Sequence, residues 1–164
     1  MKLINDLYVE NIKMIKNNFN GFDIFYKNHL LCLETPTVKI PFGLEKEYSN
    51  LILKLQLINY ENDKNMETFL DKIKQIEQYL TNFLEDNLRS QIRFSESYDP
   101  LLITKISKIK NKITTEVIDE KNIPVNIFNL KKYDNLKCII YLDKIWKYNN
   151  TYFYKWHVHK ICVL

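Results

Sequence analysis

A mainly β protein with one long helix is what this sequence predicts. Three observations carry that expectation. Short apolar runs bounded by turn residues fill both ends of the chain, three- and four-residue apolar spacing fills only its middle, and an Asn-Gly pair separates the first two runs. With 164 residues, 46% hydrophobic and 13% aromatic, the chain can bury a proper core as a single domain. Residues 1–64 read as N-terminal strands, 65–88 as the helix, and 89–164 as basic strands closing in an aromatic hairpin.

The elements follow in order. Val9–Phe19 and Phe22–Glu34 flank Asn20-Gly21, the strongest short-range hairpin signal in the chain. In the run from Thr35 to Gly43, Pro36 and Pro41 exclude a central strand and leave an edge strand or an ordered loop. Leu51–Tyr60 alternates in part and ends in polar residues, so it reads as another strand. Met66, Phe69, Ile73, Ile76, Leu80, Phe83 and Leu84 then form the stripe of an amphipathic helix over 65–88. Asn65 is its expected N-cap, and Glu67 falls in the favourable first turn. Strands resume at Leu101–Ile109, Lys112–Ile118 and Val125–Asn129, with a turn at Asp119–Asn122. Lys137–Tyr148 and Thr151–Leu164 make the closing hairpin around Asn149–Asn150. Strands, one helix, then strands is the order of a small barrel with a helix inserted midway and an N-terminal strand extension. The OB-fold is the best-known such barrel; an α+β sandwich is the other architecture that gives this order.

Composition narrows the chemistry. The chain has no alanine, two glycines and two arginines against 22 lysines, the signature of an AT-rich genome. Residues 1–88 carry 10 lysines and 13 acids, whereas residues 89–164 carry 14 lysines and arginines and 7 acids. A basic C-terminal half suits an anionic partner. Glycines at 21 and 43 alone cannot build a P-loop or a GxGxxG turn, and HExxH and GxSxG are absent. Asp119-Glu120-Lys121 superficially resembles a nuclease triad but falls in a turn. His157 and His159 share a strand face and could reach Cys138 or Cys162. No tight-turn ligand pair accompanies them, so they are expected to face solvent or phosphate. Three distant cysteines point to a reducing compartment. Without a signal peptide or an apolar span, the expected setting is soluble and intracellular, with no membrane contact. No catalytic residue, metal or cofactor is expected.

Lysines interleaved with aromatic rings are the chemistry of single-stranded nucleic-acid binding, and also the appearance of an ordinary half-buried hairpin. The candidate binding residues are Lys144, Trp146, Lys147, Tyr148, Tyr152, Tyr154, Lys155 and Trp156 in the hairpin. Lys105, Lys108, Lys110 and Lys112 on neighbouring strands join them, as do Arg89 and Arg93 at the helix exit. Register decides which rings are wet. A three-residue turn puts Trp146, Tyr148, Tyr152, Tyr154 and Trp156 on one face. A two- or four-residue turn puts Trp146 with Phe153, Lys155 and His157, opposite Tyr154 and Trp156.

Three segments carry a resemblance: Thr35-Pro36-Thr37-Val38-Lys39-Ile40-Pro41-Phe42-Gly43-Leu44, the helix near Ile76-Glu77, and Ile139-Ile140…Ile145-Trp146…Trp156-His157-Val158…Ile161-Cys162-Val163. Over roughly residues 22–164 the chain resembles a family from large nucleocytoplasmic DNA viruses that is itself similar to phage-type OB-fold single-stranded-DNA-binding proteins. The resemblance implies an OB-like fold, single-stranded DNA (or RNA) as partner, a non-enzymatic role in viral replication, repair or packaging, and residence in the viral factory or the virion. Tyr154 replaces the glycine expected before Lys155-Trp156, and the hydrophobic Ile161–Leu164 stands where many such proteins carry an acidic tail. These departures leave a second expectation: a structural or interaction component, oligomeric through its C-terminal strand.

Overall fold

The computed structural model describes residues 1–164 throughout. Ahead of the helix run β1 (Ile12–Lys16), β2 (Gly21–Tyr26), β3 (Leu31–Glu34), β4 (Val38–Lys39), β5 (Leu44–Glu47) and β6 (Asn50–Gln56). Helix α1 (Lys64–Leu84) follows, then β7 (Ile92–Arg93), β8 (Leu101–Ile106), β9 (Lys108–Ile109), β10 (Lys112–Ile113) and β11 (Glu116–Asp119). The chain closes with β12 (Asn135–Leu142), β13 (Lys144–Tyr148), β14 (Thr151–Tyr154) and β15 (Trp156–Val163).

Five of these strands close a ring. β15 pairs with β12, β12 with β4, β4 with β6, β6 with β8, and β8 returns to β15 in parallel through Trp156↔Thr104 and Val158↔Ile106. Closure leaves no open edge on the ring, and inward positions alternate with outward ones. In β12, Leu136, Cys138, Ile140 and Leu142 are buried while Asn135 and Lys137 are exposed. The result is an OB-fold-like barrel with extra strands. A second, four-stranded sheet, β1-β2-β13-β14, stands against it. Met66, Phe69, Leu70, Ile73, Ile76 and Leu80 of α1 join the inward strand residues in one continuous apolar core.

The closing hairpin belongs to both sheets. Its base, β12 and β15, is barrel; its tip, β13 and β14, is outer sheet. The changes of sheet fall at Asp143 and Lys155, the two residues left between the strands. Gly21 makes the outer sheet possible. A Cβ there would lie 1.8 Å from the Ile145 carbonyl oxygen, so only glycine lets β13 lie beside β2.

Several sequence expectations are corrected here. The N-cap is Asp63, whose carboxylate accepts from the amides of Asn65 and Met66, and the helix stops at Leu84 because Glu85 turns left-handed at φ 52°. The run Phe22–Glu34 is broken at Lys27 and Asn28, whose φ values of 48° and 65° make a tight turn between β2 and β3. Residues 9–11 form a 3-10 turn that precedes β1. Val125–Asn129 is no strand: Asn126 caps the amide of Phe128 and starts a 3-10 turn over Ile127–Asn129. Between its two prolines, β4 is a barrel strand of two residues, hydrogen-bonded on both sides where no proline intervenes. The C-terminal strand has no free edge for a second copy, since β12 lies on one side and β8 and β11 on the other.

Candidate nucleic-acid interface

The hairpin turn settles the face. Asn149 and Asn150 both adopt left-handed backbone, with φ 47° and 61°, a two-residue turn whose twist matches antiparallel strands. It fixes Tyr148↔Thr151, Trp146↔Phe153 and Ile145↔Tyr154. Ile145 and Tyr154 therefore point into the core, fully buried. Trp146 and Phe153 stand on the other face as a stacked pair, centroids 6.2 Å apart at 22°. After the crossing at Lys155, Trp156 and Val158 point inward and are fully buried. His157 points outward, with its ring stacked on Tyr141 at 5.1 Å and Nε2 3.5 Å from the Asp143 carboxylate. Ser107 holds Tyr141: its Oγ lies 3.1 Å from the phenol oxygen and donates to the Val158 carbonyl at 2.9 Å.

Two recesses meet at Lys155 on this outer face. One, of about 650 Å³, lies between the β8–β10 segment and the bend of the hairpin. It is lined by Lys105, Lys108, Lys110, Lys144, Lys155, His157, Tyr141, Trp146 and Asp143, with Ser49, Asn50, Ser107, Ile109 and Asn111. The other, of about 320 Å³, is lined by Lys54, Arg89, Arg93, Lys155, Phe153, Gln91, Glu47, Ile52 and Ile103. Joined, they form a groove with eight lysine and arginine side chains, two carboxylates, and the rings of Tyr141, Trp146 and Phe153.

The electrostatics of the groove show most clearly at Lys155 and Asp143. Burial pulls the Lys155 ammonium below its usual pKa, and Lys105, Arg89 and Arg93 add to this against the single opposing charge of Glu47. Burial pushes the Asp143 carboxyl upward, but its contacts with His157, together with Lys144, outweigh that and hold it below the usual value of 3.8.

The arginines are positioned from beneath. Glu77 on α1 accepts from Ser90 Oγ at 2.7 Å, from the Gln91 amide at 3.0 Å and from the Tyr154 hydroxyl. The Arg89 amide donates to the Tyr152 carbonyl at 2.9 Å, and the Tyr152 amide to Asn87 at 2.9 Å. Buried Tyr154 thus serves as a strut; burial, then the neighbouring Glu77 charge, lifts its phenol well above the usual pKa of 10.0.

Of the residues singled out from sequence, Arg89, Arg93, Lys105, Lys108, Lys110, Lys144, Trp146 and Lys155 come together in the groove. Tyr154 and Trp156 are corrections: both lie in the core, so neither ring can stack on a base. Lys147 turns to the opposite face of β13, where it pairs with Asp86 at 3.1 Å and covers the Tyr152 ring at 5.2 Å. Tyr148 is exposed at the hairpin tip, and Lys112 extends outside the groove on the β9–β10 ribbon. Lys54, Tyr141 and Phe153 complete the lining without having been proposed as ligands. The two-residue register already placed Phe153 with Trp146; Lys54 and Tyr141 needed the barrel pairing.

Fold and site together define an OB-fold-like barrel with a basic, aromatic groove on its outer face. The particular likenesses are to phage proteins. The single-stranded DNA-binding protein of bacteriophage Enc34, C-terminally truncated, superposes with TM-score 0.58 at 13% identity, covering 94% of this chain and 93% of that one. The same phage protein in complex with ssDNA gives 0.56 at 11%, covering 94% and 96%. Bacteriophage T7 gp2.5, also a single-stranded DNA-binding protein, gives 0.56 at 12%, covering 82% and 86%. At these identities the likeness is one of fold. No protein-family model matches the chain. Autophagy-related protein 11 of Candida albicans is 34% identical over 95 residues, 52% of this chain, but the match spans only 8% of that protein's length.

Proposed function

We propose that this chain binds single-stranded DNA along the groove, without catalysing a reaction. Its lysines and arginines would hold phosphates, and bases would stack on Trp146, Phe153 and Tyr141. The observation that carries this reading is the groove itself: eight cations and three rings gathered on one outer face against two carboxylates. The fold it shares with phage single-stranded DNA-binding proteins supports the same reading. We further propose that the protein acts in replication, repair or packaging of viral DNA, in the viral factory or the virion of a large DNA virus, as the sequence resemblance suggests. RNA satisfies the same phosphate and stacking contacts.

Fluorescence polarisation with a labelled oligothymidylate tests the reading directly. About five phosphate contacts would make the affinity fall with salt at a logarithmic slope of roughly −3.5. Absence of salt-sensitive binding at micromolar protein overturns it.

A further inference from the structure

The arginine end of the groove contains a polar side chain that the fold leaves unused. Gln91 is 2% exposed, and its amide oxygen has no hydrogen-bond partner. Buried acceptors are almost always paired, because an unpaired one forfeits its bond to water. The backbone on either side is fixed: the Gln91 amide donates to Glu77, and its carbonyl accepts from Ile103 at 2.9 Å. Packing does not require an amide here, and an apolar side chain of equal length would fill the same space at no polar cost. The Gln91 side chain lines the recess of about 320 Å³ that is also walled by Phe153, Arg89, Arg93 and Lys155. That is room for a single nucleobase with its phosphate outside.

We propose that this recess is a base-reading site, in which one base packs on Phe153, its phosphate meets the arginines, and Gln91 accepts a hydrogen bond from the base edge. The site rests on the single-stranded-DNA reading and adds selectivity to it. Phosphate contacts position a strand, whereas edge contacts discriminate between bases. An unpaired acceptor favours a base with an exocyclic amino group over one with a carbonyl in its place. Cytosine and uracil differ in that way at C4 and share the same ring size, so stacking does not confound the comparison.

The experiment titrates the whole protein with oligo(dC) and oligo(dU) of equal length, for wild type, Gln91→Met and Gln91→Glu, with a thermal melt of each variant as a folding control. The expected result is a preference of about 2- to 10-fold for oligo(dC) in wild type. Gln91→Met should abolish that preference, and Gln91→Glu, which keeps an acceptor in place, should retain it. Equal wild-type affinities, a preference for oligo(dU), or a preference that survives in Gln91→Met overturns the base-reading site and leaves the groove's general role standing. Failure of wild type to bind either strand overturns both.

Discussion

Lys155 is held where its charge is unfavourable. Its pKa lies below the usual 10.5 because it is half-buried among cations. In the free protein the charged form therefore costs stability, fully below the folded pKa, and the cost disappears as pH rises past 10.5. A bound phosphate reverses the sign of that interaction. Lys155→Met should raise the melting temperature at neutral pH while weakening oligonucleotide affinity by about 5- to 10-fold. Parallel losses of both, measured by calorimetry and polarisation, would contradict it. Asp143 behaves oppositely. Its depressed carboxyl gives stability that is present above its usual value of 3.8 and is lost as pH falls through the lower folded value. Thermal melts across that acid window should show wild type losing its lead over Asp143→Asn, with the lead intact at neutral pH. Both residues mark the points where the hairpin changes sheets, and although Lys155 stands out in sequence by its flanking rings, no local signal places either change of sheet. Two-fold periodicity says only which side a residue faces, never what faces it from another strand.

Among the elements, α1 and the closing hairpin were the most legible, because their signals are local. A stripe at three- and four-residue spacing defines a helix without reference to the rest of the chain, and five of its six buried residues are ones that stripe names; Leu70 is the sixth, and Phe83 of the stripe is exposed. Its ends were missed by a few residues since Asp63 outcompetes Asn65 as cap and Glu85 ends the helix without glycine. The hairpin was recognised, but its register depended on how many residues the turn would take. Asn149 and Asn150 take left-handed φ together, and this put Tyr154 and Trp156 in the core and Trp146 outside. What could not be read was how α1 serves the groove. Glu77 accepts three hydrogen bonds that tie the Ser90–Gln91 strap and β14 to the helix. Glu77→Ala strands those donors, at about 1–3 kcal/mol for each one left buried. It should lower both the melting temperature and the affinity, since Arg89 and Arg93 ride on the strap. Glu77→Gln, which still accepts, should lose markedly less of each. An Ala variant with reduced stability but undiminished binding would show that the strap holds its position without the helix.

At the scale of the whole molecule, ring closure couples the interior to the groove. β15 brings together three partner strands distant in sequence, and such non-local pairing leaves no local signature, which is why the barrel's strand order lay beyond the sequence. Trp156 sits at the start of β15, on the parallel seam with β8 that closes the ring. One position from the seam's inner face, His157 and Lys105 pair on its outer face and line the groove. Trp156→Ala removes a fully buried ring, at a cost of about 3–5 kcal/mol, a large share of the roughly 5–15 kcal/mol that holds a domain folded. Trp146→Ala removes a ring from the outer face and leaves the seam alone. Denaturant melts and binding titrations should therefore separate the two tryptophans. Trp156→Ala should shift the unfolding midpoint sharply, with its lost binding restored under stabilising conditions such as added sulfate in the melt and lower temperature in the titration. Trp146→Ala should leave the midpoint nearly unchanged while costing about 1–3 kcal/mol of binding that no stabilising condition returns. If Trp146→Ala instead unfolds the protein, or binds as tightly as wild type, the outer face of the hairpin is not where the strand lies.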